Sequence, residues 1–169
     1  YHPYYYRIQL DENYLSSEFS FLHENIHART HAALHSYLEK DRLPSNWEKF
    51  KNLEAPIKRL FDLYDSLKEQ EFDRIPSLNK KYGMRDIHEF VAEGFSNPDF
   101  QIFLKGLEVP KEFMNKGFMK YYWDSFVDSV SKLFGFNSCI FTISGINYFF
   151  ALLIVLILSF LVLIELFHL

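Results

Sequence analysis

The chain has 169 residues and a mass of 20.3 kDa, which suits one core-bearing domain and is too short for two large ones. A formal net charge of −4 and a pI near 6.0 leave no basic field to hold a nucleic-acid backbone, so nucleic acid is excluded as a partner. Cys139 is the single cysteine, which excludes an internal disulfide framework and a cysteine-built zinc cage.

Tyr1–Leu10 (YHPYYYRIQL) is aromatic-rich and reads as extended, one edge strand at most, because Tyr favours strands and Pro3 suits an edge. The chain begins at Tyr1 and shows no basic stretch followed by an apolar one, so no signal peptide is read and a fragment or processed chain is expected. A first helix is predicted from about Ser17 to Lys40. Ser17 is a good N-cap, and Phe19, Leu22, Ile26, Ala33, Leu34 and Leu38 recur at helical spacings. Leu43-Pro44 ends this unit. Ser45-Asn46-Trp47-Glu48 has the form of a capping box and is expected to open a second helix running to about Glu71. Its buried face is Leu53, Ile57, Leu60, Leu63, Tyr64 and Leu67, and Pro56 kinks it or splits off its first turns.

After a polar connection containing Pro76 and Asn79, Asp86 caps a short third helix, Ile87–Phe95. Asn97-Pro98 opens a fourth, Pro98–Leu107, with proline at the first helical position. A fifth is predicted over Phe113–Phe134, weakened at its start by Gly117. Phe61, Tyr64, Phe90, Phe103 and Phe113 fall at core positions of these helices.

The composition then changes. Residues 139–169 hold 24 apolar residues in 31, against 58 in the preceding 138. Ile146–Ile164 runs without a charge, and nineteen residues at helical rise span about 28 Å, close to the thickness of bilayer hydrocarbon. A transmembrane helix is expected here. Lys116, Lys120 and Lys132 precede it and no Lys or Arg follows, which places the N-terminal body in the cytoplasm. A long buried core helix and a stretch translated in an altered frame are the competing readings; without a genuine anchor the chain is expected to be simply cytoplasmic.

His23-Glu24-Asn25-Ile26-His27 is an HExxH motif on the first predicted helix. Residues i and i+4 share a helical face, so both imidazoles can reach one metal ion, and the intervening glutamate can act as general base on metal-bound water. The plain alternative is a solvated polar stripe, since His31 and His35 continue the same row. A catalytic zinc needs a third protein ligand and an open fourth position. The extended pattern HExxHxxGxxH fails at Thr30 and Ala33, so the third ligand must come from elsewhere. Glu89 and Glu93, an i, i+4 pair on the third helix, are the candidates. One would be a ligand and the other would hold a histidine ring from behind. Against this, Asp86-x-x-Glu89 is itself a capping-box pattern, and Glu93 could be a surface acid.

The segment Tyr82-Gly83-Met84-Arg85-Asp86-Ile87-His88-Glu89-Phe90-Val91-Ala92-Glu93-Gly94-Phe95 resembles the third-ligand segment of the lethal-factor type of zinc peptidase, YG-x(5)-EFFAEAF. Its continuation Phe95–Gln101 and the upstream Leu22–Ala28 helix resemble metallopeptidase-like domains of large phage polyvalent proteins. The resemblance covers about residues 15–107. It implies a gluzincin-like peptidase with Zn2+ held by His23, His27 and Glu89, Glu24 as general base, Tyr82 as phenol donor to the oxyanion, and Glu93 as the acid behind a ligand histidine. The expected substrate is a peptide bond in a peptide or protein.

The expected fold is mainly α: a zincin-like helical core over 1–138 with at most a minimal N-terminal strand, and a hydrophobic tail over 139–169 containing the membrane helix. Zincins carry a β-sheet before the active-site helix, and only about sixteen residues precede it here, so the substrate rim would belong to an upstream part. A catalytically weak or inactive zincin-like, membrane-anchored interaction domain is the alternative function; a helical domain without metal is the third. The roles of His31 and His35 find no account at this level.

Overall fold

A computed structural model of the chain describes residues 18–71 and 82–133. In chain order it comprises α1 (Glu18–Leu38), α2 (Pro44–Trp47), a 3-10 segment (Glu48–Leu53), α3 (Glu54–Glu71), α4 (Ile87–Ser96), α5 (Pro98–Lys105), α6 (Lys111–Met114) and α7 (Tyr122–Leu133). The protein is mainly α, as expected; the sole β pairing among the described residues is an isolated bridge between Glu108 and Tyr121. The expected N-terminal strand, the Ser17 cap and the whole of 139–169 lie outside the described residues. No helix among the described residues, which do not include 146–164, is long and apolar enough to cross a membrane.

Helix α1 buries Leu22, Ile26, Ala33 and Leu34 as its spacing predicts, but Phe19 and Leu38 at its two ends are exposed. Thr30 completes the buried stripe. Its hydroxyl donates to the Ile26 carbonyl at 2.8 Å, which satisfies a polar group that would otherwise be costly to bury.

The capping box at Ser45 does not form. The short helix α2 starts at Pro44, with Leu43 at the N-cap and no side-chain cap bond. Proline at the first position has its φ already set, and its missing N–H is one that the helix end leaves unbonded anyway. The chain then tightens into 3-10 geometry before α3 begins at Glu54. Pro56 sits in the first turn of α3, where it breaks no internal hydrogen bond, and the turns over 44–53 are separate from the main helix.

The caps on α4 and α5 form where the sequence places them. One Asp86 carboxylate oxygen accepts from the His88 and Glu89 amides at 2.9 and 3.0 Å. The Asn97 side-chain oxygen accepts from Asp99 and Phe100 at 2.9 and 3.3 Å.

The single long helix expected over 113–134 is instead two, because Gly117 takes φ +83° and turns the chain between α6 and α7. A left-handed residue ends a helix, and glycine adopts it without steric cost. Arg59 on α3 holds this turn. Its guanidinium donates to the Gly117 carbonyl at 3.0 Å, pairs with Asp128 at 3.3 Å and lies over the Phe118 ring.

The core lies between α1, α3, α4, α5 and α7. Phe90 of α4 is fully buried at its centre, with Tyr64, Phe100 and Phe126 around it at ring separations of 5.6, 5.9 and 5.5 Å. The Tyr64 hydroxyl donates to the Met84 carbonyl at 3.0 Å, which fixes the chain just ahead of α4. Phe61, Phe103 and Phe113 pack against this core without being fully buried. Gly94 faces Phe126 so closely that a Cβ there would overlap the ring; the small residue lets α4 press against α7. The other face of α4 is thereby turned toward α1.

Candidate metal centre

Helices α1 and α4 run antiparallel along one seam. His23 meets Glu93 and Ser96, His27 meets Glu89, and His31 meets His88. Successive turns of one helix thus face successive turns of the other in reverse order. Glu89, Glu93 and Ser96 stand at i, i+4 and i+7 on α4, which aligns them into one face.

At the middle of the seam three donor atoms converge. His23 Nε2 and His27 Nε2 are 3.0 Å apart, and Glu89 Oε2 lies 3.2 Å from the first and 3.3 Å from the second. Two imidazole nitrogens and a carboxylate oxygen at these separations can share protons among themselves or turn their lone pairs to one metal ion. Tetrahedral bonds of about 2.0–2.2 Å require donor–donor edges of about 3.3–3.6 Å, so the observed triangle fits a divalent ion to within a few tenths of an ångström. The side chains are largely withdrawn from water, at 12% exposure for each histidine and 8% for Glu89.

Behind the triangle, His23 Nδ1 lies 3.2 Å from Glu93 Oε1 and 3.3 Å from Ser96 Oγ. The other Glu93 oxygen accepts from the Asn97 amide at 2.6 Å. Asn97 therefore caps α5 with its oxygen and steadies Glu93 with its nitrogen. Ser96 donates its own proton to the Ala92 carbonyl at 2.8 Å, which leaves its oxygen as an acceptor toward His23.

The ion-free site balances its charge with protons. Burial disfavours a charged His23, but the hydrogen bonds its ring donates to Glu89 and Glu93, together with their charges, outweigh it and raise its pKa to about 9. Burial likewise disfavours the Glu89 carboxylate, yet the two histidines hold it well below the usual carboxylate range.

Tyr82 is 43% exposed and stands at the edge of the triangle, its hydroxyl donating to Glu89 Oε1 at 3.1 Å. Burial of its ring and then the nearby Glu89 charge raise the phenol's pKa, so it stays protonated and able to donate. Arg85 approaches the same Glu89 oxygen at 3.6 Å and lies beside the Tyr82 ring. Glu24 is partly buried on α1 next to His23.

Five of the six residues singled out from the sequence, His23, His27, Glu89, Glu93 and Tyr82, thus meet at this seam or its edge, and Glu24 neighbours His23 on α1. Two plain alternatives lose ground: the Glu89 oxygens face His23, His27 and Tyr82, and Glu93 is buried, not a surface acid. The solvated-stripe reading fails for His23 and His27. Ser96, Asn97 and Arg85 were missed. Ser96 was findable, since it lies three residues beyond Glu93 on the same helical face.

No known protein family, curated protein or solved structure matches the chain. The functional reading therefore rests on the residues themselves.

Proposed function

We propose that the chain is a zinc-dependent peptidase of the HExxH type, with a zincin-like helical core. The observation that supports this reading is the convergence of His23 Nε2, His27 Nε2 and Glu89 Oε2 within 3.0–3.3 Å, backed by Glu93 on His23 Nδ1. The triangle joins two helices whose contacting residues are more than 60 positions apart in sequence. Three protein donors of this type with a fourth position open suit catalytic zinc. Bound there, zinc supplies Lewis acidity, lowering the pKa of water to about 7 and polarising a carbonyl.

The chain's own residues do the rest. Glu93 accepts the Nδ1 proton of His23, which fixes the tautomer and directs Nε2 to the ion. Glu24 takes a proton from the attacking water and passes it to the leaving amine nitrogen. Tyr82 turns its hydroxyl from Glu89 to the oxyanion that develops on the scissile carbonyl. The substrate is a peptide bond. The apolar segment 146–164 is a membrane helix in the same reading, holding the body at a cytoplasmic membrane face.

Elemental analysis paired with a peptide-library assay tests the proposal. Glu24→Gln is expected to keep stoichiometric zinc and lose turnover by about 10²–10⁴, whereas Glu89→Ala is expected to lose the metal itself. A zinc content in Glu89→Ala equal to that of the parent, or a metal-loaded parent with no turnover on any peptide, overturns it; the second result leaves a metal-binding interaction domain.

A further inference from the structure

The histidine row on α1 does not stop at the HExxH pair. His31 and His35 continue it by one turn each, and α4 brings a third imidazole to them. The His31 and His88 rings are 4.8 Å apart and the His31 and His35 rings 5.4 Å apart, both pairs nearly parallel. One nitrogen from each of the three lies within 4.8 Å of the other two. His88 Nδ1 is buried with no hydrogen-bond partner in the structure, and a buried polar atom without a partner is costly unless something else satisfies it.

We propose that His31, His35 and His88 form a second site, for a late first-row divalent cation such as Zn2+, that ties the C-terminal half of α1 to the first turn of α4. The donor chemistry sets the ion class. Imidazole nitrogens without carboxylates suit zinc, copper and nickel, and do not suit calcium or magnesium, which take oxygen. The donor nitrogens lie within 4.8 Å of one another, so closing on one ion, with donor edges of about 3.3–3.6 Å, takes short ring movements at most. His35 supplies that freedom, since its side chain is 54% exposed, with Glu39 at 4.0 Å as its ion-pair neighbour. The ion acts as a clamp. His88 precedes Glu89 directly, so pinning His88 to α1 pins the turn from which Glu89 reaches the first site. A cation that binds only the folded chain stabilises it by mass action.

The proposal does not depend on peptidase activity, and its test separates the two sites. The full chain is stripped with a chelator and titrated with Zn2+ alone, following stoichiometry by elemental analysis after dialysis and stability by thermal unfolding. Two equivalents are expected for the parent chain. Glu89→Ala is expected to remove one. His35→Ala is expected to weaken the other by at least about tenfold and to abolish the rise in Tm that accompanies its filling. His35 is exposed, so this variant retains the parent fold; His88→Gln serves as the second variant and gives the same loss. A parent chain that binds only the equivalent lost in Glu89→Ala overturns the second site, as does unchanged two-equivalent binding in His35→Ala. A single equivalent lost in His35→Ala but kept in Glu89→Ala supports the second site and overturns the first.

Discussion

His23 Nδ1 lies 3.2 Å from Glu93 Oε1 while the opposite nitrogen of the same ring lies 3.2 Å from Glu89 Oε2. One imidazole is thus bracketed by two carboxylates of one helix, four residues apart. A ring held this way cannot rotate without losing one of them, so the nitrogen offered to a metal is set before the metal arrives. Partners placed behind a ligand histidine typically change metal affinity by about 10–100-fold. Glu93→Gln keeps an acceptor for Nδ1 and removes the charge. It is expected to weaken zinc by about tenfold, read by competition with a chromophoric chelator. Unchanged affinity would reduce Glu93 to a space-filling residue.

Tyr82 makes a separable prediction, because its hydroxyl has a visible ground-state partner in Glu89 at 3.1 Å. If its main work is on the oxyanion, Tyr82→Phe lowers kcat by about 10²–10³ with KM and zinc content little changed. If its main work is to hold Glu89, zinc affinity falls first and kcat follows. Steady-state kinetics alongside metal titration distinguishes the two, and only the first outcome fits the proposed role.

Much of this site was legible because its chemistry is local. HExxH places two imidazoles on one face by helical geometry alone, and Asp86 announces where α4 must begin, which fixes the direction of Glu89. The meeting of α1 with α4 is a tertiary fact that the periodicities do not contain. Neither are Ser96 and Asn97 as partners of His23 and Glu93, since both also have sufficient local explanations as helix terminus and cap. The break at Gly117 was hidden for a related reason: the apolar spacing runs on through the turn, and only a backbone angle of +83° separates the two helices. The failed cap at Ser45 shows two start signals competing one residue apart, with proline deciding the outcome. His31 and His35 gained an account only when His88 arrived from another helix.

The metal-free chain should be most stable near pH 6.5. His23 has its pKa raised from 6.5 to about 9. A raised value means that its contribution is fully present below pH 6.5 and is lost as pH climbs through 9. His88 has the opposite shift: burial, reinforced by the neighbouring His31 charge, lowers its pKa from 6.5 to about 4. Below pH 6.5 the unfolded chain takes up a proton that folded His88 refuses, so stability falls as pH drops toward 4. The depressed Glu89 pKa adds to the loss on the acid side. Tm measured in excess chelator from pH 4 to 10 should therefore fall on both sides of the maximum. His88→Gln should flatten the acid limb alone; a monotonic profile would contradict the opposed shifts.

The last prediction concerns the support behind the seam. A Cβ on Gly94 would overlap the Phe126 ring, and Phe126 is itself fully buried against Phe90, Phe95 and Trp123. The ring has nowhere to retreat, so Gly94→Ala must displace α4 from α7 or force a strained rotamer. Overpacking of this kind costs about 1–3 kcal/mol, even though alanine is the better helix former by about 1 kcal/mol. The steric term therefore has to exceed the propensity gain for the variant to lose stability, and denaturant unfolding reads the difference directly. Phe126→Leu removes the obstructing ring, so in that background Gly94→Ala should be neutral or stabilising. Such a sign change is a coupling between the two positions. Equal effects of Gly94→Ala with and without the ring would mean that α4 is not seated on Phe126. In the parent background any shift of α4 off α7 also displaces Glu89 and Glu93 relative to the α1 histidines, so Gly94→Ala should weaken zinc binding along with stability, although residue 94 is not itself a ligand.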